Sequence, residues 1–248
     1  MSEGARESLP EPHVAPAGAM TRLSARYADV FLLRAAIQTI PVLGGPLDTI
    51  FAGLGARWQY ERLNKFIAAL EQRLRSVEAY ESLPEVEPSE PLYDFVTQVF
   101  DHVIRNRSDL KREAFSRIVA RQVIERQPWD DAEAAARLLA GISELHVQIL
   151  HHALTAGPIA ASPFNGTPGV VLSQGTRGPS APRLPDLFTG IPERALRLAC
   201  AELVAHGLFE DAGVGKLSTP AMEYFALTDL GSWFLAWIES DPRGERAG

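Results

Sequence analysis

The chain has 248 residues and a mass of 27.1 kDa, enough for one large domain or two small ones with a sizeable core. Apolar residues make up 46% and charged residues 22%, which excludes wholesale disorder. The net charge of −7 argues against a protein that coats nucleic acid or an acidic membrane by bulk charge, and the lone cysteine, Cys200, excludes an intramolecular disulfide.

Residues 1–20 are polar and rich in Pro, Gly and Ala. They lack an apolar h-region, so they read as a disordered tail rather than a secretory signal. With neither signal nor disulfide, the default compartment is a bacterial-type cytoplasm, where the sequon at Asn165 is silent. Residues 22–40 read as a helix, with Leu23, Tyr27, Val30, Phe31, Arg34 and Ile37 spaced by threes and fours. Pro41 and Gly44-Gly45 end it. The uncharged run between Arg34 and Asp48 is thirteen residues long. A spanning helix needs roughly 20. The expectation over 35–56 is therefore a buried helical hairpin. The alternative is a membrane-active tip, in which Val42, Leu43, Gly44, Gly45, Ile50, Phe51 and Leu54 enter a bilayer after a conformational change.

Pro46 and Asp48 suit the first turn of the next helix. From Leu47 an apolar stripe runs through Ile50, Leu54, Trp58, Leu63, Phe66, Ile67, Leu70 and Leu74. It predicts a long amphipathic helix over 47–82 that needs a partner surface. The acidic connector at 83–91, LPEVEPSEP, breaks the pattern. Residues 92–107 resume a helix with Leu92, Phe95, Val96, Val99 and Val103 on one side. Ser108 or Asn106 caps the next, which carries Leu110, Ala114, Phe115, Ile118 and Val119 inward. Asp130 caps a short Ala-rich helix that Gly141 stops. Together these elements read as a helical bundle over 21–142.

The composition then shifts. Residues 155–185 hold eleven Gly and Pro residues and no sustained periodicity. They read as a flexible loop, with Val170-Val171-Leu172 as its one short strand. Around the loop, Ser143–Leu154 is a helix, Asp186–Gly190 a short turn or helix, and Pro192–His206 a helix ended by Gly207. Leu208–Glu210 and Glu223–Leu227 read as strands joined by a Gly/Pro-containing turn. Thr228 caps a last helix, Asp229–Glu239. Helix, helix, helix, hairpin, helix is the winged helix-turn-helix pattern, assigned to 143–240 and followed by a tail at 241–248. The expected fold class is mainly α: an N-terminal helical bundle, then a winged helix-turn-helix with a small β-hairpin. No fixed-period repeat appears, which argues against a solenoid.

A winged helix normally presents its third helix to DNA. The candidate contacts are Arg194 and Arg197, on one helix face. From Pro192 to the end, however, five basic residues stand against nine acidic ones. Phosphate neutralisation supplies most non-specific affinity, so nucleic acid is disfavoured and a protein partner or a homo-oligomer is expected. His146 and His151 lie five apart on one helix and point in different directions, and no HExxH or CxxC is present, so no metal is expected. Gly213-Val214-Gly215-Lys216 lacks the first glycine of a phosphate loop, and Gly53-Leu54-Gly55 lacks the third of a dinucleotide fingerprint. Cys200 sits in a Leu/Ala setting as a small apolar residue. No catalytic constellation, cofactor or small-molecule substrate is indicated.

Between Leu110 and Leu154 a charged helix precedes the phrase Leu138-Leu139, Ile142-Ser143, Val147, Ile149-Leu150, Leu154, and the chain later carries LTDLG at Leu227–Gly231. In these features it resembles the bacterial abortive-infection alpha family. The resemblance covers about half of the chain and implies a helical phage-defence protein. It carries over no catalytic residues.

Overall fold

The computed structural model describes residues 56–76, 89–160, 164–172, 182–214 and 221–239. The expected helix at 22–40, the hairpin tip from Val42 to Leu54 and both tails lie outside the described residues. The helix expected over 47–82 is described as α1, Ala56–Ser76. Helices α2 (Glu90–Arg105), α3 (Asp109–Glu125), α4 (Trp129–Gly141) and α5 (Glu144–Thr155) follow. Strand β1 (Gly169–Val171), the one-turn α6 (Leu184–Leu187), α7 (Glu193–Ala205), β2 (Phe209–Asp211), β3 (Tyr224–Leu227) and α8 (Asp229–Glu239) complete the order. The described chain is thus mainly helical with one small antiparallel sheet.

Short polar residues start several of these helices by accepting a free backbone N–H of the first turn. Ser89 Oγ accepts from Leu92, 3.4 Å away, and Pro91 fits a position that needs no N–H. Ser108 Oγ accepts from Lys111 N–H at 3.1 Å, while Asn106 Oδ1 accepts from Ser108 N–H at 3.0 Å, so both expected cap residues take part. Thr228 Oγ1 accepts from Gly231 N–H at 2.9 Å. The expectation at α4 needs correction. Pro128 is its cap and makes no side-chain cap bond, and Asp130 lies inside the first turn, where its charge faces the positive end of the helix dipole.

Helix α3 is the centre of the assembly, packed against α1, α2, α4 and α8. Its buried positions run Lys111, Arg112, Ala114, Phe115, Ser116, Ile118, Val119, Ala120, Gln122 and Val123. At about 100° per residue they cover about two-thirds of the helix circumference. One contiguous core runs from Leu63 of α1 through Phe95, Phe115, Leu139 and Ile149 to Phe225, Phe234 and Ile238.

The sheet order is β1-β3-β2, all antiparallel. The expected β-hairpin is therefore two strands of a three-stranded sheet, because Gly169–Val171 pairs along the outer edge of β3. Side chains alternate across a strand. Phe225 and Leu227 enter the main core, whereas Ala226 joins Ile159, Phe164, Val171 and Ala212 in a second cluster beneath Tyr224. This second cluster corrects the reading of 155–185 as a plain flexible loop. Its described parts cover a sheet face that would otherwise be wet. The glycine that suggested a linker is a packing requirement: a Cβ on Gly169 would overlap the Phe164 ring and crowd the Phe225 carbonyl oxygen.

Candidate functional site

The buried cations of α3 have a common chemical task. A helix ends with carbonyls that lack intrahelical partners, at the negative end of its dipole. Lys111 Nζ donates to Ala140 O at 3.3 Å and Ile142 O at 2.6 Å, closing the end of α4. Arg112 Nη1 donates to Asn106 O at 3.2 Å and Arg107 O at 3.1 Å, just past α2, and Arg62 Nη1 donates to Ile104 O at 2.7 Å in its last turn. Arg117 Nη1 reaches Ile238 O at 3.0 Å and Arg121 Nη1 reaches Ala236 O at 2.8 Å, both in the last turn of α8. These side chains hold helix ends together. Burial pushes the Lys111 ammonium below the usual lysine range, as expected for an amine whose two contacts are neutral carbonyls.

A second polar cluster joins α5 to α7. Ser143 caps α5, and its own N–H donates to His146 Nδ1 at 2.8 Å, a capping box with histidine in the third position. An Nδ1 that accepts leaves the ring proton on Nε2, which lies 2.9 Å from Glu202 Oε2. Burial holds His146 below the ordinary histidine range. Glu202 opposes this shift, and His206 and Lys111 reinforce it. The ring is therefore a neutral strut at neutral pH.

Helices α3, α5 and α8 enclose an open groove of about 580 Å³. Glu113, Arg117, Gln148, His151, His152 and Glu239 rim it over Ala114, Val147 and Ile238. His151 Nδ1 lies 2.7 Å from Glu239 Oε1, and Glu113 pairs with Arg73. The described residues lining the groove include no Ser, Thr, Cys or Lys. His152 packs edge-on against Phe188 with ring centroids 5.4 Å apart. Among the described residues no cluster of three or more His, Cys, Asp or Glu has the arrangement of a metal site.

The two sequence-predicted contacts on α7 part company. Arg197 is half-buried and held by its neighbours. Its Nη1 donates to Met222 O at 3.0 Å, and its Nη2 pairs with Glu193 Oε1 at 2.9 Å and lies 3.8 Å from Glu223 Oε1. It ties α7 to the foot of the β2–β3 connection. Asp211 braces the same foot, accepting from Gly213 N–H at 2.9 Å and Met222 N–H at 2.6 Å. Arg194 remains exposed and takes part in none of the ion pairs formed among the described residues. Beside it on the outer face stand Leu198, Glu202 and Ala205, with Leu198 59% exposed. Val214, in the β2–β3 connection, is 67% exposed.

No family model, curated protein or solved structure matches this chain.

Cys200 lies fully buried on the inner face of α7, and burial pushes its thiol up to about 12, so it is a core residue in the native state. The buried cations of α3 and the His146–Glu202 strut escaped the sequence reading. One signal was present: the α3 sequence DLKREAFSRIVARQVIE has no clean polar face to which its charges could all be assigned.

Proposed function

We propose that this chain is a non-enzymatic interaction protein of bacterial phage defence, acting through protein contacts made by a winged-helix module. The order α5-β1-α6-α7-β2-β3-α8 with sheet order β1-β3-β2 supports the module: a first helix, a strand, two further helices, then two strands joined by a wing. In that arrangement α7 is the helix that would read DNA. The observation that carries the proposal is the outer face of α7. It offers an exposed leucine and a carboxylate where a DNA reader needs cations, and Arg197 is spent on Glu193 and the wing. Leu198, the large apolar side chain exposed on α7, is where a protein partner would make contact.

The resemblance of Leu110–Leu154 to the abortive-infection alpha family supports the biological setting. A phage challenge tests the proposal, with cells carrying the gene, lacking it, or carrying Leu198→Asp. The expected result is protection against some phage in a broad panel, lost with Leu198→Asp while the protein accumulates normally. Equal plaquing in all three strains across the panel contradicts it.

The DNA-binding reading keeps Arg194 as its one exposed cation. An electrophoretic shift at low salt that Arg194→Ala abolishes would favour it. The membrane reading rests on residues 35–56, outside those described. No helix among the described residues is long and apolar enough to cross a membrane.

A further inference from the structure

We infer that the outer face of α7 pairs with the same face of a second copy of this chain, antiparallel and two-fold symmetric about Leu198. This rests on the protein-contact reading of α7 and names the partner. At about 100° per residue, Arg194, Leu198, Ala201, Glu202 and Ala205 fall within one arc of about 100°. Of these, Arg194, Leu198, Glu202 and Ala205 are exposed and Ala201 is half-buried. The opposite side of α7, with Leu196, Ala199, Cys200 and Leu203, is core. The arc is therefore the outer face of a helix whose other side packs on β2, α5 and α6; on it Glu202 Oε2 reaches back to His146.

Charge and size along this arc are self-complementary. In an antiparallel pair centred on Leu198, a residue four before the centre faces one four after it. Arg194 then meets Glu202 of the partner copy, and Glu202 meets the partner copy's Arg194. Leu198 packs on its own symmetry mate. Ala201 and Ala205 flank Leu198 on this face with small side chains. Two small residues there let the helix axes approach within the 8–10 Å typical of packed helices. A face of this kind is what an isologous dimer requires, since one patch must complement itself. The acidic partner needed by Arg194 is thus present on the same helix. Glu202 can supply it: Oε2 is the oxygen near His146, which leaves Oε1 for a second cation. An α7 of thirteen residues is about 20 Å long. A contact of that length belongs to the smallest interface class, so the dimer is weak and concentration-dependent.

Sedimentation velocity on the full chain, over a concentration series reaching millimolar, tests the pairing. The wild type is expected to shift from monomer toward dimer. Leu198→Asp is expected to remain monomeric throughout, with unchanged far-UV circular dichroism and melting, because the side chain it replaces is exposed. Arg194→Glu alone places like charges at both symmetric contacts and weakens self-association about tenfold or more, and Glu202→Arg, with its fold first confirmed by circular dichroism and melting because Glu202 also sits against His146, does the same with the opposite sign. Mixing the two variants restores both attractive pairs, so the mixture dimerises when neither variant does. That rescue is the signature of antiparallel pairing about Leu198. A wild type monomeric at millimolar concentration, a Leu198→Asp variant that still dimerises, or a mixture no stronger than its components overturns the inference. The phage challenge with Leu198→Asp is read separately. Loss of protection in a chain that stays monomeric would keep the protein-contact reading and remove self-pairing.

Discussion

Arg121→Met tests the idea that α3 holds the molecule together by feeding cations into helix ends. Arg121 joins α3 to the last helix through two contacts and is braced by a third within α3. Its Nη1 donates to Ala236 O at 2.8 Å, its guanidinium carbon lies 5.0 Å from the centroid of the Trp237 ring, and its Nε pairs with Glu125 at 2.8 Å. A hydrogen bond from a charged donor contributes about 1.5–3 kcal/mol, and losing this one also orphans a half-buried carbonyl. The stacked cation adds about 0.5–2 kcal/mol. The Glu125 pair counts for little, since that carboxylate keeps a hydrogen bond from Gln127 Nε2 at 3.3 Å. Methionine recovers part of the packing, which leaves a net loss of about 2–3 kcal/mol. In a chain of this size that lowers Tm by about 5–10 °C. Arg105→Met is the control. It breaks an ion pair with Asp101 whose side chains are 74% and 44% exposed. It should cost no more than about 0.5 kcal/mol. Urea unfolding followed by circular dichroism and tryptophan fluorescence measures both. Equal losses in the two variants would refute the assignment of Arg121 as a clamp.

Gly231→Ala is expected to destabilise by about 1–3 kcal/mol or more, because the added carbon overlaps the Leu208 carbonyl oxygen and lies 2.7 Å from Leu227 Cδ1. Thermal melting checks it, and an unchanged Tm would show that α8 does not press on the start of β2. Acid should weaken the fold through His146. Burial lowers its folded value below the ordinary 6.5, so its contribution is present above about pH 6.5 and is lost as pH falls below it. His102 and His152, also lowered by burial, act in the same direction. Protonation would set an Nδ1–H against the Ser143 N–H. Glutamine can serve at this position of a capping box without titrating. The stability of His146→Gln should therefore fall less between pH 8 and pH 5 in urea titrations than that of the wild type, and equal falls would remove His146 from the account.

Much of the helical architecture is legible in the sequence because its determinants are local. Ser108 and Thr228, read as caps before apolar-periodic runs, cap as expected, and Gly207 marks the end of α7. Two features are not local. Residues 164–172 look like a linker because turns and tight packing both use Gly and Pro, and only the second face of the sheet shows why Phe164 and Gly169 stand where they do. The charges of α3 look like solvent-facing residues because the carbonyls they satisfy lie 29 and 31 residues away for Lys111 and 115 residues away for Arg121. At the candidate site, the acidic excess around α7 could be read from charge alone. The fate of each arginine could not, since Arg197 turns to Met222 at the foot of the β2–β3 connection while Arg194 does not.

The most direct test of the central claim places a photo-crosslinking amino acid at Leu198 in the full chain and irradiates intact cells. If α7 works by protein contact, the product is a discrete adduct that survives nuclease and disappears with protease. An adduct that nuclease removes, or no adduct in cells that the protein protects from phage, would contradict the claim that this face meets protein.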